Sequence, residues 1–137
     1  MDAIHLLTSQ HREMEELFKQ VLDSKDARAT RRLFAEVADK LTTHIASEEE
    51  IFYPATRAKR TEDILLDSLE EHLSLKRLLA DLLQMQPAEQ TFEAKFKVLK
   101  EQAEHHHKEE EEHLFPKVNK LLDRNVSMTL RHRGALI

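Results

Sequence analysis

Cysteine is missing from all 137 residues, tryptophan is missing too, and there is one glycine and one tyrosine. Without a thiol, disulfides, thiolate metal sites, iron–sulfur ligation and cysteine nucleophiles are excluded within this sequence. With one Gly and three Pro, the turn chemistry that strand-rich folds depend on is too scarce, so a helix-rich chain is expected. Long apolar runs are lacking as well. No stretch approaches the ~18 apolar residues of a membrane span, and "MDAIHLLTSQHREMEELF" has no basic segment before an apolar one, so neither a membrane segment nor a signal peptide is expected. Absent cysteine suits a reducing compartment, and the expected location is cytoplasmic. Nor is there an excess of positive charge: the net charge is −5 and the pI about 6.0, so no nucleic acid is expected as a partner. The length fits one domain over 1–137, with a bundle over about 2–124 and a short extension over 125–137.

Histidine, in contrast, is abundant, with nine in the chain. It is the commonest metal ligand among side chains, so the direction in which each ring points becomes the question. Four segments show apolar residues at alternating spacings of three and four, the pattern of one buried helix face. The first seam is Ile4, Leu7, His11, Met14, Phe18 and Val21; the second is Phe34, Val37, Leu41, His44, Glu48, Ile51 and Ala55. The third is Leu65, Leu69, His72, Lys76, Leu79 and Leu83; the fourth is Phe92, Phe96, Leu99, Ala103, His106, Glu110 and His113. Asp26, Thr30 and Thr61 are candidate helix caps. Pro87 closes the third segment, and Pro54 and Pro116 each end or kink a helix. The last stretch, "RNVSMTLRHRGALI", predicts a brief fifth helix. Short connections favour antiparallel neighbours, so the predicted fold is all-α, an up-down-up-down four-helix bundle. Every seam carries a histidine where a leucine would otherwise sit.

The second and fourth segments repeat each other. "HIASEEEIFYP" (44–54) aligns without a gap to "HHKEEEEHLFP" (106–116), pairing His44 with His106 and Glu48 with Glu110. The lone histidines keep step, since His11 precedes His44 by 33 residues and His72 precedes His106 by 34. Within "HHHKEEEE" only His106 stands above an apolar stripe, so His105 and His107 are expected at the surface along with His5 and His132. The four glutamates fan over roughly 300° of helix; Glu110 shares the face of His106, and Glu109, Glu111 and Glu112 are expected to face water. Tyr53, about 180° from His44 on a straight helix, is not placed in the site.

One histidine on an apolar face is ordinarily a hydrogen-bonded core residue. Four of them with two carboxylates at matched depth are different, because buried charges need partners or cations. The metal set is therefore His11, His44, Glu48, His72, His106 and Glu110. Six ligands are too many for one tetrahedral zinc. Shared between two ions, they give each metal two imidazoles and an oxygen from each carboxylate, with positions left for an oxo or hydroxo bridge and an exogenous ligand. Mixed nitrogen and oxygen ligation with open positions suits iron, with manganese or zinc less favoured.

The pattern His11, His44-x-x-x-Glu48 in "HIASEEEIFYP", His72, and His106-x-x-x-Glu110 in "HHKEEEEHLFP" closely resembles the hemerythrin-like (HHE cation-binding) domain family, in its single-domain bacterial form. The resemblance implies two iron ions bridged by Glu48 and Glu110, with O2, NO or peroxide as the small ligand, in sensing or stress defence. A ferritin-like di-iron bundle would need Glu-x-x-His on two different helices; that spacing occurs here only in the fourth segment, at Glu104–His107 and Glu110–His113. Oxygen-carrying hemerythrins place a fifth histidine one turn after the third-helix ligand, where this chain has Lys76. That substitution implies open iron positions and redox chemistry or NO capture rather than reversible O2 storage, with peroxide or NO redox activity as the enzymatic form. Lys76 either snorkels to solvent or lies near the open positions and stabilises a bound anion. His113 is either a partner of the ligands or a histidine at the rim. The alternative function is an iron reservoir or iron-responsive regulatory module without catalysis; a metal-free helical adaptor fits the buried His/Glu layer poorly.

Overall fold

The computed structural model describes residues 2–121, all helix apart from short connections. Helix α1 (Ala3–Asp23) is capped by the Asp2 carboxylate, which accepts the His5 N–H. Helix α2 (Ala27–Ser47) is capped by Asp26, which accepts the Ala29 N–H, leaving Thr30 inside the helix. A wide π-helical turn, Glu48–Phe52, joins α2 to α3 (Tyr53–Thr56). Helix α4 (Glu62–Leu83) follows Thr61, whose hydroxyl ties the Thr56 and Ala58 connection together. Helix α5 (Gln90–Glu109) passes through a second π turn, Glu110–Leu114, into α6 (Phe115–Leu121). The predicted fifth helix, the 125–137 extension and His132 lie outside the described residues.

The long helices form the expected up-down-up-down four-helix bundle. Antiparallel pairs α1/α2 and α4/α5 pack with α1 beside α5 and α2 beside α4. Two apolar clusters fill it. The larger joins Met14, Phe18, Leu41, Leu75, Leu82, Phe96 and Leu99 with their neighbours; the smaller joins Leu7, Phe52, Tyr53, Leu65, Leu114, Phe115 and Val118 at the other end. Burying one Leu or Phe of this kind stabilises a fold by about 1.5–3 kcal/mol, so the clusters hold the helices in register on either side of the polar layer.

Four seam positions differ from expectation, in two pairs with one cause each. Ile51 and His113 are exposed, while Phe52 and Leu114 are buried in their place. In each π turn the backbone closes five residues back rather than four: the Tyr53 N–H reaches the Glu48 carbonyl, and the Phe115 N–H reaches that of Glu110. The inward face therefore returns one residue late. Pro54 and Pro116 follow directly, lacking the N–H that an unbroken α ladder would use. On α4 the leucine-rich run fits two registers; Leu75 and Leu82 point inward, leaving Lys76 and Leu83 exposed.

Candidate metal centre

The six expected residues converge in one layer between the apolar clusters, each no more than 2% exposed. His11 comes from α1, His44 from α2, His72 from α4 and His106 from α5; Glu48 and Glu110 open the two π turns. Each carboxylate divides its oxygens. Glu48 Oε2 lies 3.5 Å from His44 Nε2, while its Oε1 lies 3.0 Å from His72 Nε2 and 3.8 Å from His106 Nε2. Glu110 Oε1 lies 3.3 Å from His11 Nε2, and its Oε2 lies 3.4 Å from His106 Nε2. Two groups of potential ligand atoms result, His11–His44–Glu48–Glu110 and Glu48–His72–His106–Glu110, each with all atoms within 4.8 Å of one another.

The outward nitrogens are all engaged. His11 Nδ1 donates to Glu111 at 2.7 Å and His72 Nδ1 donates to Glu49 at 2.7 Å. His44 Nδ1 donates to Gln10 at 2.6 Å, and His106 Nδ1 donates to Glu71. An outward Nδ1–H leaves Nε2 facing the centre, the nitrogen that would bind a cation once any proton on it is displaced. A second tier holds the carboxylates: Arg12 pairs with Glu111, and Lys76 pairs with Glu49 at 3.0 Å. Lys76 is thus an exposed cation behind His72, outside the layer. Glu111, expected to face water, and Glu49 are only 24% exposed and orient the His11 and His72 rings. His113 is a rim residue, 59% exposed, with only Glu109 near it.

Two residues assigned to the surface or left out of the site lie inside this layer. Tyr53 is buried, because the π turn carries it back over Glu48. Its hydroxyl donates to Glu110 Oε2 at 2.6 Å and lies 3.1 Å from Glu48 Oε1 and 3.3 Å from His72 Nε2. Its ring stacks on His72, as that of Phe115, its counterpart in the repeat, stacks on His11. His107 is also buried, its ring stacked on His11 with centroids 3.9 Å apart. Helix α5 faces α4 on one side and α1 on the other, so both His106 and His107 are covered there; His105 is exposed, as expected.

The charges show what the layer is prepared to hold. Burial would raise the Glu48 carboxyl, but the imidazoles of His106, His44 and His72 hold it well below the usual carboxylate range. Burial opposes a charge on His106, yet Glu110, Glu48 and Glu71 push it up to about 12. His11 is raised against its burial by Glu110 and Glu111. Burial drives the Tyr53 phenol up, aided by Glu48 and Glu110, so its proton stays in place. Protonated histidines thus serve as counter-ions for two buried carboxylates, a role that bound cations would take over. The layer fits cations for a further reason. The buried side-chain polar atoms without a hydrogen-bond partner among the described residues are His11 Nε2, His44 Nε2, Glu48 Oε2, Glu110 Oε1 and both His107 ring nitrogens. Native interiors rarely leave such atoms unpaired.

The family model for the hemerythrin HHE cation binding domain matches residues 2–118. The chain belongs to the hemerythrin HHE cation-binding domain family. A crystal structure of an HHE cation-binding domain-containing protein from Mycobacterium kansasii superposes with a TM-score of 0.77 at 23% identity, covering 85% of this chain and 72% of that one. That likeness supports the bundle. A protein described as a DNA nickase from Nostoc sp. is 26% identical over 115 residues, 84% of this chain and 33% of its own length. This HHE domain thus spans about a third of that relative.

For an HHE domain with this doubled motif, a sequence signal for the orienting residues does exist. Gln10 and Glu71 each directly precede a lone histidine, and Glu49 and Glu111 each directly follow a shared carboxylate. The repeat thus marks both pairs. Nothing comparable marks His107, whose preceding stripe of Glu104, Lys100, Lys97 and Glu93 is polar.

Proposed function

We propose that this HHE domain holds two iron ions, one between His11 and His44 and one between His72 and His106, with Glu48 and Glu110 bridging them, and that it binds or reduces O2, NO or peroxide in sensing or stress defence. The observation that carries the proposal is the division of each buried carboxylate, one oxygen toward each histidine pair. A single ion would use one pair and leave the other pair's nitrogens facing two charged oxygens for nothing. Imidazole with carboxylate, and no thiolate, favours iron over calcium or magnesium, which prefer oxygen alone. Iron bound there supplies one electron from each ion and an open position for a small ligand.

The chain's own residues do the rest. The four outward hydrogen bonds fix each imidazole in one orientation. The apolar clusters above and below limit water around the layer. Tyr53 keeps a proton on its phenolic oxygen beside Glu110, inside the layer where oxygen reduction consumes protons. Reducing one hydrogen peroxide to two waters takes two electrons and two protons, which matches a pair of one-electron donors. The Nostoc relative's name does not extend the proposal to DNA, since the match covers a third of that protein and this chain carries a net charge of −5. The cytoplasm is the proposed location.

Anaerobic titration of the reduced, iron-loaded protein tests the reading. One equivalent of peroxide per chain should oxidise both irons, and O2 should oxidise them without release under vacuum. If neither O2, NO nor peroxide changes the iron spectrum, the domain is an iron reservoir or iron-responsive module instead.

A further inference from the structure

We propose that the outward face of α4 is a self-association surface, on which a second copy of this chain packs antiparallel about a two-fold axis level with Leu69 and Glu70. Among the described residues five large apolar side chains are exposed; α4 carries three of them, Leu66, Leu73 and Leu83, and α1 and α2 carry none. Leu66 and Leu73 are 54% and 56% exposed, with partly buried Leu69 between them. At 3.6 residues per turn, Glu62, Leu66, Leu73 and Arg77 lie within about 60° of one another around the helix. Asp63, Leu69 and Glu70 flank that stripe, which faces away from buried Leu75 and Leu82.

The order of these residues identifies the partner. Glu62, Leu66, Leu73 and Arg77 are spaced by 4, 7 and 4 residues, so the stripe reads the same from either end except that the charge changes sign. A two-fold contact needs such a self-complementary surface. A second α4 laid antiparallel sets Leu66 against the partner's Leu73, twice by symmetry, and brings Glu62 and Asp63 beside the partner's Lys76 and the partner's Arg77. Acidic residues in a first turn also suit the helix dipole, but no basic residue occupies the last turn of α4, so the dipole does not account for Lys76 and Arg77. The exposed ion pairs of α4 join Lys76 to Glu49 and Asp81 to Lys95; Asp63 and Arg77 have no charged partner among the described residues. A leucine stripe with charges at its margins is the pattern by which helices pair. Contact over a few turns falls at the small end of specific interfaces, below about 1,200 Å² in total, so the dimer is weak and reversible. Glu70 weakens it further, because the two copies' carboxylates approach each other beside the axis.

Sedimentation equilibrium of the full chain, from micromolar to millimolar concentration, tests this. Wild type should dimerise. Leu73→Asp should weaken the dimer at least about ten-fold, since a charge enters the apolar contact twice. Arg77→Asp should weaken it too, and adding Asp63→Arg to that variant should restore it, because reversing both ends again sets opposite charges across the axis. Glu70→Gln should tighten it. Every replaced side chain is exposed, so each variant should keep the wild-type Tm and iron content, which separates these effects from misfolding. A wild type still monomeric at millimolar concentration would overturn the proposal. So would a dimer that Leu73→Asp leaves intact, or an Arg77→Asp loss that Asp63→Arg fails to repair.

Discussion

The half of the centre formed by His11 and His44 and the half formed by His72 and His106 share one plan: a stacked aromatic ring, an outward carboxylate on the lone histidine, and a cation behind that carboxylate. They differ at three matched positions. Phe115 lies over His11 where Tyr53 lies over His72, neutral Gln10 backs His44 where Glu71 backs His106, and His107 stands where the other half has Ile45. The second half satisfies itself with a phenol proton and an extra carboxylate. The first carries unpaired nitrogens and oxygens, and so depends more on what it binds. The two helical pairs thus share one repeat pattern and differ at single matched positions.

Removing what the halves share should have the largest effect. Glu48→Ala deletes an oxygen from both, so iron content should fall below one per chain; retention of two would show that the halves are independent sites. Removing a ligand of one half comes next. His106→Ala should lose one ion, whereas His105→Ala, at an exposed ring, should keep both, as elemental analysis of the purified variants would show.

Protons compete with cations for the layer, and the signs differ between groups. Glu48 is depressed below its ordinary 4.5, so the stability it gives the metal-free protein is present above about 4.5 and lost as pH falls through its lowered value. His106 is raised from 6.5 to about 12, so its contribution is complete below about 6.5 and lost as pH climbs toward 12. On the proposed di-iron reading, iron would have to displace the His106 proton at neutral pH. Uptake should therefore release protons, and apparent affinity should fall as pH is lowered; calorimetry in two buffers of different ionisation enthalpy measures this.

The smallest effect is expected of Tyr53→Phe, which makes the second half resemble the first. It removes a buried hydrogen bond to a carboxylate, worth about 1.5–3 kcal/mol to stability, and both irons should stay. Peroxide reduction should slow, because a hydrogen-bond donor inside the layer is gone. An unchanged rate would reduce Tyr53 to a structural role.

Much of this was legible in the amino-acid sequence, for physical reasons. His11, His44, His72 and His106 interrupt strongly apolar stripes, and a charged or polar tooth on such a stripe has few explanations. Glu48 and Glu110 follow one turn later, at the first residue of each wide turn, so helical phase still places them correctly. Beyond Glu48 and Glu110 straight-helix phase fails by one extra residue per π turn: it puts Ile51 on the inward stripe and Tyr53 away from the site, and it leaves His113 open between the layer and the rim, where it lies. The paired prolines are the visible trace of that irregularity, but they do not state its width. His107 was missed for another reason. Its burial comes from α1 covering the end of α5, a tertiary fact that the polar stripe beneath it conceals. On α4, consecutive leucines fit two registers equally, and only packing chose Leu75 over Lys76.

The claim on which everything else stands is that two cations share two carboxylates in one layer. Native mass spectrometry of the metal-free protein titrated anaerobically with Fe(II) counts them directly. Saturation at two irons per chain is predicted, and saturation at one, or no retained iron, would contradict it.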